Sequence, residues 1–147
     1  MKAPEGMVSI RIPSDPEQLY LMRRLVREIS AKGGFKEEET RRIVLALDEA
    51  CTNVIRHAYC GEEGKYIVIE AGCIDDGVCF VVIDEGIKPD PDAIKPRPLD
   101  EIEPGGLGTH FIRAVMDEVE YDTSAGPGTR LTLIKRRKGP GSEDEPE

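Results

Sequence analysis

The sequence predicts an α+β domain, a two-layer α/β sandwich in which a mixed, largely antiparallel sheet carries amphipathic helices on one face. Three observations support this fold. Apolar, β-branched runs occur in pairs joined by turns that contain glycine, and two other segments repeat apolar residues at helical spacing. The chain has 147 residues, which is enough to bury one sizeable core.

The N-terminal half predicts one strand followed by two helices. Residues 7–13 alternate apolar and polar side chains, which is the period of a half-buried strand. Ser14 and Glu17 form a capping box, and apolar residues at helical spacing follow until Gly33 and Gly34 end the first helix. Residues 37–58 contain neither Gly nor Pro and open with three glutamates, so we expect one long second helix.

The C-terminal half predicts four strands and a third helix. The apolar runs 66–74 and 78–84 flank an Asp-Gly pair, which is a strong hairpin signal. Residues 85–104 contain five prolines and no regular period, and long loops of this kind are usually functional. Residues 106–116 then predict a helix entered through glycines, and residues 118–123 and 129–136 predict a closing hairpin.

Composition limits the possible functions. The formal net charge of -9 argues against a nucleic-acid partner, because phosphate backbones are bound through concentrated Lys and Arg. No run of residues approaches membrane-spanning length, and the first residues lack the apolar core of a secretory signal. We therefore expect a cytoplasmic protein without a membrane partner. One domain is expected over residues 1–137, followed by a flexible acidic tail over residues 138–147.

The four cysteines show no CxxC spacing, and the chain has only two histidines. This pattern argues against structural zinc and favours reduced, mostly buried thiols.

The first candidate site lies on the long second helix. Glu49, Asn53 and His57 are four residues apart, so their side chains line one polar stripe. Asn is a poor helix former, which calls for a gain elsewhere. Its amide oxygen suits Mg²⁺, and a carboxylate one turn earlier can accept a proton from an attacking hydroxyl. The alternative is a polar stripe that simply faces solvent.

The second candidate site is the end of the run 78–84. Asp84 and Gly86 lead from a nearly all-apolar strand into the irregular loop. A carboxylate at a buried strand end can accept a hydrogen bond from an exocyclic amine, and a glycine lets a planar ring approach the backbone. The alternative is an ordinary transition from strand to turn.

The third candidate site is the glycine-rich start of the last helix. It consists of Gly105, Gly106, Leu107, Gly108 and Thr109. Glycines ahead of a helix leave backbone amides pointing at open space, where phosphate is stabilised. The segment follows a Pro-rich loop rather than a strand, so it is not a Rossmann motif. The alternative is a flexible helix start.

Together the three candidates resemble the GHKL (Bergerat-fold) ATPases. The order is an E-x-x-x-N helix, a strand that ends D-x-G, a GGLG loop and a strand that opens Gly128-Thr129. Within that superfamily the sequence is most similar to the bacterial anti-sigma factor serine kinases. Residues 47–59 resemble their N-box, and residues 105–119 resemble their second glycine box with the helix that follows.

The resemblance implies a role for each motif residue. Asn53 would hold the Mg²⁺ that bridges the ATP phosphates, and Glu49 would be the general base on the attacking serine. Asp84 would accept from the adenine amine, Gly86 would leave room for the ring, and Thr129 would support the adenine end. Gly105, Gly106, Leu107, Gly108 and Thr109 would form the phosphate-binding loop. Residues 88–104 would be the lid, from which Lys88, Lys95 and Arg97 could reach phosphate or remain solvated.

The resemblance also implies an activity and partners. The protein would be a serine/threonine protein kinase and anti-sigma factor that uses ATP and Mg²⁺. Its substrate would be a serine of an anti-anti-sigma (STAS-domain) protein, its second partner a sigma factor, and its own state a homodimer. The alternative is a non-catalytic ATP-binding switch that controls a protein partner. Glu49 separates the two, since a switch needs Asn53 and the glycines but no base.

Overall fold

The computed structural model describes residues 6–89, 107–124 and 126–138. The strands are β1 (Val8–Pro13), β2 (Tyr66–Ile74), β3 (Gly77–Asp84), β4 (Glu118–Asp122) and β5 (Thr129–Arg136). The helices are α1 (Leu19–Lys32), α2 (Glu37–Asn53) and α3 (Leu107–Val115). A 3₁₀ turn, Pro16–Gln18, precedes α1, and a π-helical turn, Val54–Ala58, continues α2. The order of strands and helices is the one predicted.

The five strands form one sheet in the order β1-β2-β3-β5-β4. Every described strand pairing is antiparallel, which confirms the predicted α+β class. The predicted sheet was mixed, whereas the described strands contain no parallel pair. β3 and β5 are neighbours although residues 85–106, α3 and β4 separate them in sequence. Their ladder ends at the pair Asp84 and Thr129.

The helices cover one face of the sheet, as predicted. Alternate strand residues point to this face and join apolar residues of all three helices in the main core. Its fully buried members include Met22, Val26, Ile43, Leu47, Ile67, Ile69, Phe80, Ile112 and Leu133. The Asp-Gly hairpin between β2 and β3 also forms as predicted.

The opposite face of the sheet carries a smaller apolar cluster of Cys79, Val81 and Ile134. An ion pair crosses β3 on this face: Arg130 of β5 donates to Glu70 of β2 over 3.2 Å. Glu70 is the cross-strand partner of Val81, so the two charged side chains help to cover that valine.

Three local predictions need correction. The capping residue ahead of α1 is Asp15 rather than Ser14, because Asp15 Oδ1 accepts the backbone N–H of Glu17 and a 3₁₀ turn follows. The predicted single helix over 37–58 ends as an α-helix at Asn53. All four cysteines are free thiols as expected, but Cys60 and Cys73 are exposed, so they are not mostly buried.

Arg137, the residue directly after β5, makes hydrogen bonds to two other parts of the fold. Its guanidinium donates to the carbonyl oxygens of Gly33 (2.7 Å) and Asp75 (3.0 Å), and its backbone N–H donates to Asp76 (2.7 Å). These bonds connect the end of α1, the β2–β3 turn and the end of β5. Within the described ranges, no helix is both long and apolar enough to cross a membrane.

Candidate nucleotide-binding site

Asp84 and Thr129 form the buried centre of the candidate site. They are cross-strand partners, so their side chains leave the same face of the sheet, the face that the helices cover. Asp84 is only 5% exposed, and its Oδ1 accepts the backbone N–H of Gly86 over 2.9 Å. Burial raises the pKa of Asp84, while bonds from the backbone of Gly86 and Thr129 act in the opposite direction.

The Thr129 side chain is also buried, at 7% exposed. Its hydroxyl has no hydrogen-bond partner among the described residues. Buried hydroxyls are nearly always paired with protein, water or ligand. The hydroxyl beside Asp84 is therefore available to a polar group that enters from outside the protein.

Tyr59 holds the turn that follows Asp84. This side chain is 5% exposed, and its hydroxyl donates to the carbonyl oxygen of Tyr66 over 2.6 Å. The same oxygen accepts the backbone N–H of Glu85 over 3.0 Å. Burial is the largest effect on the Tyr59 pKa and raises it, so the hydroxyl keeps the proton that it donates.

The end of the α2 region packs directly against the D-x-G turn. The backbone N–H of Ile87 donates to the carbonyl oxygen of Ala58 over 2.8 Å. A Cβ atom on Gly86 would lie 2.3 Å from that oxygen, which is too close for any side chain. The close packing against Ala58 thus requires glycine at position 86. This requirement is separate from the predicted approach of a planar ring to the backbone.

Gly128 is a second position where only glycine fits. Its φ of +76° lies in the left-handed region, and a Cβ atom there would be 1.9 Å from the carbonyl oxygen of Asp84. The glycine allows the chain to enter β5 directly beside Asp84.

The π-helical turn begins immediately after Asn53. Its wider winding changes the side-chain direction of the residues that follow, so the predicted stripe of Glu49, Asn53 and His57 does not continue regularly to His57. His57 is exposed, whereas Glu49 and Asn53 are half-buried. The stripe is therefore reduced to Glu49 and Asn53, which remain one helical turn apart on α2.

Two adjacent carboxylates at this end of α2 have different surroundings. Asp48 accepts from Arg23 of α1 over 3.0 Å. Glu49 has no ion pair or hydrogen bond of its side chain to any of the described residues. Glu49 therefore remains available to a proton from another molecule.

The predicted phosphate-binding loop is described only in part. Gly105 and Gly106 lie outside the described residues, and Leu107, Gly108 and Thr109 form the first turn of α3. The helix packs against α2, and its Ile112 and Val115 join the main core. α3 is therefore packed against the helix that carries Glu49 and Asn53.

Lys88, which the sequence offered as a possible phosphate contact, has a partner within the fold. Its Nζ donates to the backbone oxygen of Thr123, just after β4. The bond connects the start of the segment after the D-x-G turn to the β4–β5 connection.

The donor atoms fit ATP with Mg²⁺ better than a metal ion alone. No cluster of three or more His, Cys, Asp or Glu side chains that could hold a metal occurs in the described part of the chain. Mg²⁺ in nucleotide sites takes one or two protein oxygens and completes its coordination with phosphate oxygens and water. The amide of Asn53 suits that arrangement, and the unpaired Thr129 hydroxyl suits a bound base.

A scan of protein-family profiles matches residues 12–135 to the histidine kinase-like ATPase domain. The match covers most of the chain. The chain belongs to the histidine kinase-like ATPase domain family. This confirms the resemblance inferred from the motif order, and the match includes Glu49, Asn53, Asp84 and Thr129.

Relatives of this ATPase domain include serine-protein kinases. The serine-protein kinase RsbW of Bacillus pumilus is 27% identical over 142 residues, which cover 90% of this chain and 88% of the relative. The protein of the same name from Halalkalibacterium halodurans is 28% identical over 138 residues, covering 88% and 84%.

A solved structure shares the fold of this ATPase domain. It is the histidine kinase domain of the blue-light activated histidine kinase EL346 from Erythrobacter litoralis, with a TM-score of 0.54 and 19% identity. The match covers 92% of this chain and 65% of the solved one. At this identity the likeness concerns the fold alone.

The sequence analysis assigned no separate role to two structural features of the candidate site, the bonds of Tyr59 and the π-helical turn. The bonds of Tyr59 join residues distant in sequence, so no periodicity could have revealed them. One signal was available: a tyrosine at the end of a predicted helix carries a polar group that needs a partner once the ring is buried.

Proposed function

We propose that this protein is an ATP-dependent serine/threonine protein kinase and anti-sigma factor. The observation that supports this most is the connection between the two ends of the candidate site. The turn after Asp84 is bonded to the residues that directly continue the helix bearing Glu49 and Asn53. An arrangement of this kind suits a ligand with a base at one end and phosphates at the other.

At the base end, Asp84 would accept a hydrogen bond from the exocyclic amine of adenine. The Thr129 hydroxyl, which has no partner among the described residues, would take part in a bond to the ring directly or through water. Both side chains are buried, so water competes weakly for these bonds.

At the phosphate end, Asn53 would supply an amide oxygen to Mg²⁺, and backbone amides of Gly105, Gly106, Leu107, Gly108 and Thr109 would contact phosphate. Bound Mg²⁺ neutralises charge on the phosphates and orients them. The contribution of the protein is position and electrostatics, which dominate catalysis of phosphoryl transfer.

Glu49 would act as the general base. The substrate serine oxygen forms a bond to the γ-phosphorus, the bond from that phosphorus to the β-γ bridging oxygen breaks, and ADP leaves with the electron pair. The serine proton passes to the Glu49 carboxylate. Glu49 suits this role better than Asp48, since Arg23 already binds Asp48.

The proposed substrate is a serine of an anti-anti-sigma (STAS-domain) protein, and the proposed second partner is a sigma factor. Two observations support the choice: the resemblance of residues 47–59 and 105–119 to anti-sigma factor kinases, and relatives named serine-protein kinase. A homodimer in the cytoplasm belongs to the same proposal.

The test is a transfer assay with labelled ATP, Mg²⁺ and STAS-domain proteins. Glu49→Gln is expected to bind ATP normally and to transfer phosphate at least 100-fold more slowly, about the contribution of general-base catalysis. Asp48→Asn is the matched control, with the same change one residue away, and is expected to keep at least half of the rate. Asn53→Ala is expected to lose Mg²⁺-dependent nucleotide binding.

Two results would contradict the proposal. Transfer at the wild-type rate by Glu49→Gln would remove Glu49 from the role of base. Wild-type protein that binds ATP but labels no STAS partner would favour the alternative, a non-catalytic switch in which ATP only controls partner binding.

A further inference from the structure

Tyr59 connects the two ends of the candidate site through one residue. Its backbone N–H donates to the carbonyl oxygen of Val54 over 2.9 Å, and Val54 directly follows Asn53. Its side-chain hydroxyl accepts from Glu85, which directly follows Asp84. Tyr59 is thus hydrogen-bonded to the residue that follows the proposed metal ligand and to the residue that follows the proposed adenine acceptor.

The hydroxyl of Tyr59 is held by both of its bonds. It donates its only proton to the carbonyl oxygen of Tyr66 over 2.6 Å. A lone pair of the hydroxyl oxygen then accepts the N–H of Glu85. A hydroxyl that donates becomes a better acceptor, so the two bonds strengthen each other. The ring is buried and cannot move to another position at low cost.

The bond to Glu85 fixes the backbone between Asp84 and Gly86. The Asp84 carboxylate accepts from the backbone of Gly86 as well as that of Thr129, so one of these two bonds depends on where this short turn lies. The Ala58 carbonyl holds the other side of the turn through Ile87. Without the Tyr59 hydroxyl, the turn would keep the bonds at Ile87 and Gly86 and lose the one at Glu85, the residue next to Asp84.

We propose that Tyr59 is a positioning residue for base selectivity: its hydroxyl sets the orientation of the Asp84 carboxylate, and so the preference for adenine over guanine. The inference rests on the proposed function, because it needs a nucleotide in this site. Adenine presents an amine to the carboxylate where guanine presents a carbonyl oxygen, which a carboxylate repels. A carboxylate whose orientation is held less firmly would discriminate less.

The experiment compares Tyr59→Phe with the full-length wild type by calorimetric titration of ATP and GTP in the presence of Mg²⁺. Tyr59→Phe keeps the buried ring and removes only the hydroxyl. Tyr20→Phe is the matched control, the same change at a tyrosine of α1 that is 49% exposed. Hydrogen exchange of the Glu85 amide in the nucleotide-free proteins reports on the bond itself.

We expect Tyr59→Phe to weaken ATP binding about tenfold and GTP binding less than twofold, since losing one well-placed bond changes affinity by about this factor. Exchange at Glu85 is expected to be faster in this variant, and Tyr20→Phe is expected to match the wild type in all three measurements. A loss of global stability alone would not change the ratio of the two affinities.

Three outcomes would overturn the inference. An unchanged ATP:GTP ratio in Tyr59→Phe, with ATP still bound by wild type, would show that Tyr59 only supports the fold. Unchanged exchange at Glu85 would show that the hydroxyl does not hold the turn. Wild type that bound neither nucleotide would refute the proposed function, and the inference with it.

Discussion

Asp84 lies directly opposite Thr129 at the end of the β3–β5 ladder, so a buried carboxylate stands beside a buried hydroxyl that has no partner among the described residues. Such a pair does not serve stability, because an unsatisfied hydroxyl and a desolvated charge both oppose folding. The pair is better explained by binding.

Thr129→Val is expected to stabilise the protein and to weaken nucleotide binding. Valine has nearly the shape of threonine and suits a strand, and it removes a buried hydroxyl that lacks a bond, so the free energy of unfolding should rise by about 1 kcal/mol. Urea unfolding without ligand measures the first effect, and ATP titration measures the second. A variant that lost stability would mean that the hydroxyl has a partner in the free protein.

Asp84→Asn is expected to raise the melting temperature at neutral pH. Burial raises the folded pKa of Asp84 above its ordinary value of 3.8, so ionisation of this carboxyl costs more in the folded chain than in the unfolded one. That cost is fully present above the folded pKa and disappears as pH falls through it towards 3.8. Asparagine carries no charge, so its advantage should shrink over the same acidic range.

Melting curves of wild type and Asp84→Asn between neutral pH and pH 3.5 measure this difference. ATP titration of the same variant should show weaker binding at neutral pH, because the uncharged amide accepts from the adenine amine less strongly. A melting-temperature difference that stayed constant throughout the acidic range would contradict the assignment of the raised pKa to Asp84.

Gly86→Ala is expected to cost at least 2 kcal/mol of stability and most of the ATP affinity. The new methyl group would meet backbone atoms of Ala58 at 2.3 and 2.5 Å, and backbone cannot give way as a flexible side chain can. Gly61→Ala is the control. That glycine has a φ of +75° and nothing within 4 Å, so the expected cost is about 1 kcal/mol from the left-handed backbone alone. Equal costs in urea unfolding would show that the contact at Ala58 relaxes.

Arg137→Ala is expected to destabilise the fold by about 1–3 kcal/mol. The change removes a cation that donates to the carbonyl of Gly33 at the end of α1 and to the carbonyl of Asp75 in the β2–β3 turn. Deletion of residues 139–147 keeps Arg137, and we expect it to leave the unfolding midpoint unchanged. A midpoint that fell with the deletion would contradict the predicted domain end at residue 137.

Much of the fold could be predicted because its signals are local. The strands 66–74 and 129–136 are bounded in the sequence by turn residues and agree with β2 and β5. The helix after the first glycine pair was predicted too long, since the residues of the π-helical turn, Val54–Ala58, are ordinary helix residues. The turn is held by tertiary bonds at Ala58 and Tyr59, which a periodic pattern cannot contain.

In the candidate site, too, some features are visible in the local sequence and others arise only from the fold. Asp84 and Gly86 stood out as a strand end, and Thr129 as a strand start, but only the sheet order makes Asp84 and Thr129 neighbours. The capping residue ahead of α1 is Asp15, at the start of the 3₁₀ turn, and not Ser14, because both residues can cap a helix and the choice depends on the backbone that enters from β1. The predicted roles of Gly105 and Gly106 lie beyond the described residues and stay predictions.

The ladder between β3 and β5 has a consequence for how this chain can vary in length. The chain leaves the sheet after Asp84 and re-enters it at β4, which pairs with β5 on the side away from β3. The entropy lost in closing such an excursion grows only with the logarithm of its length, by about 0.6 kcal/mol for each doubling. We therefore expect insertions and deletions in the stretch after Lys88 to cost little stability, so its length can vary while Asp84 and Thr129 stay paired.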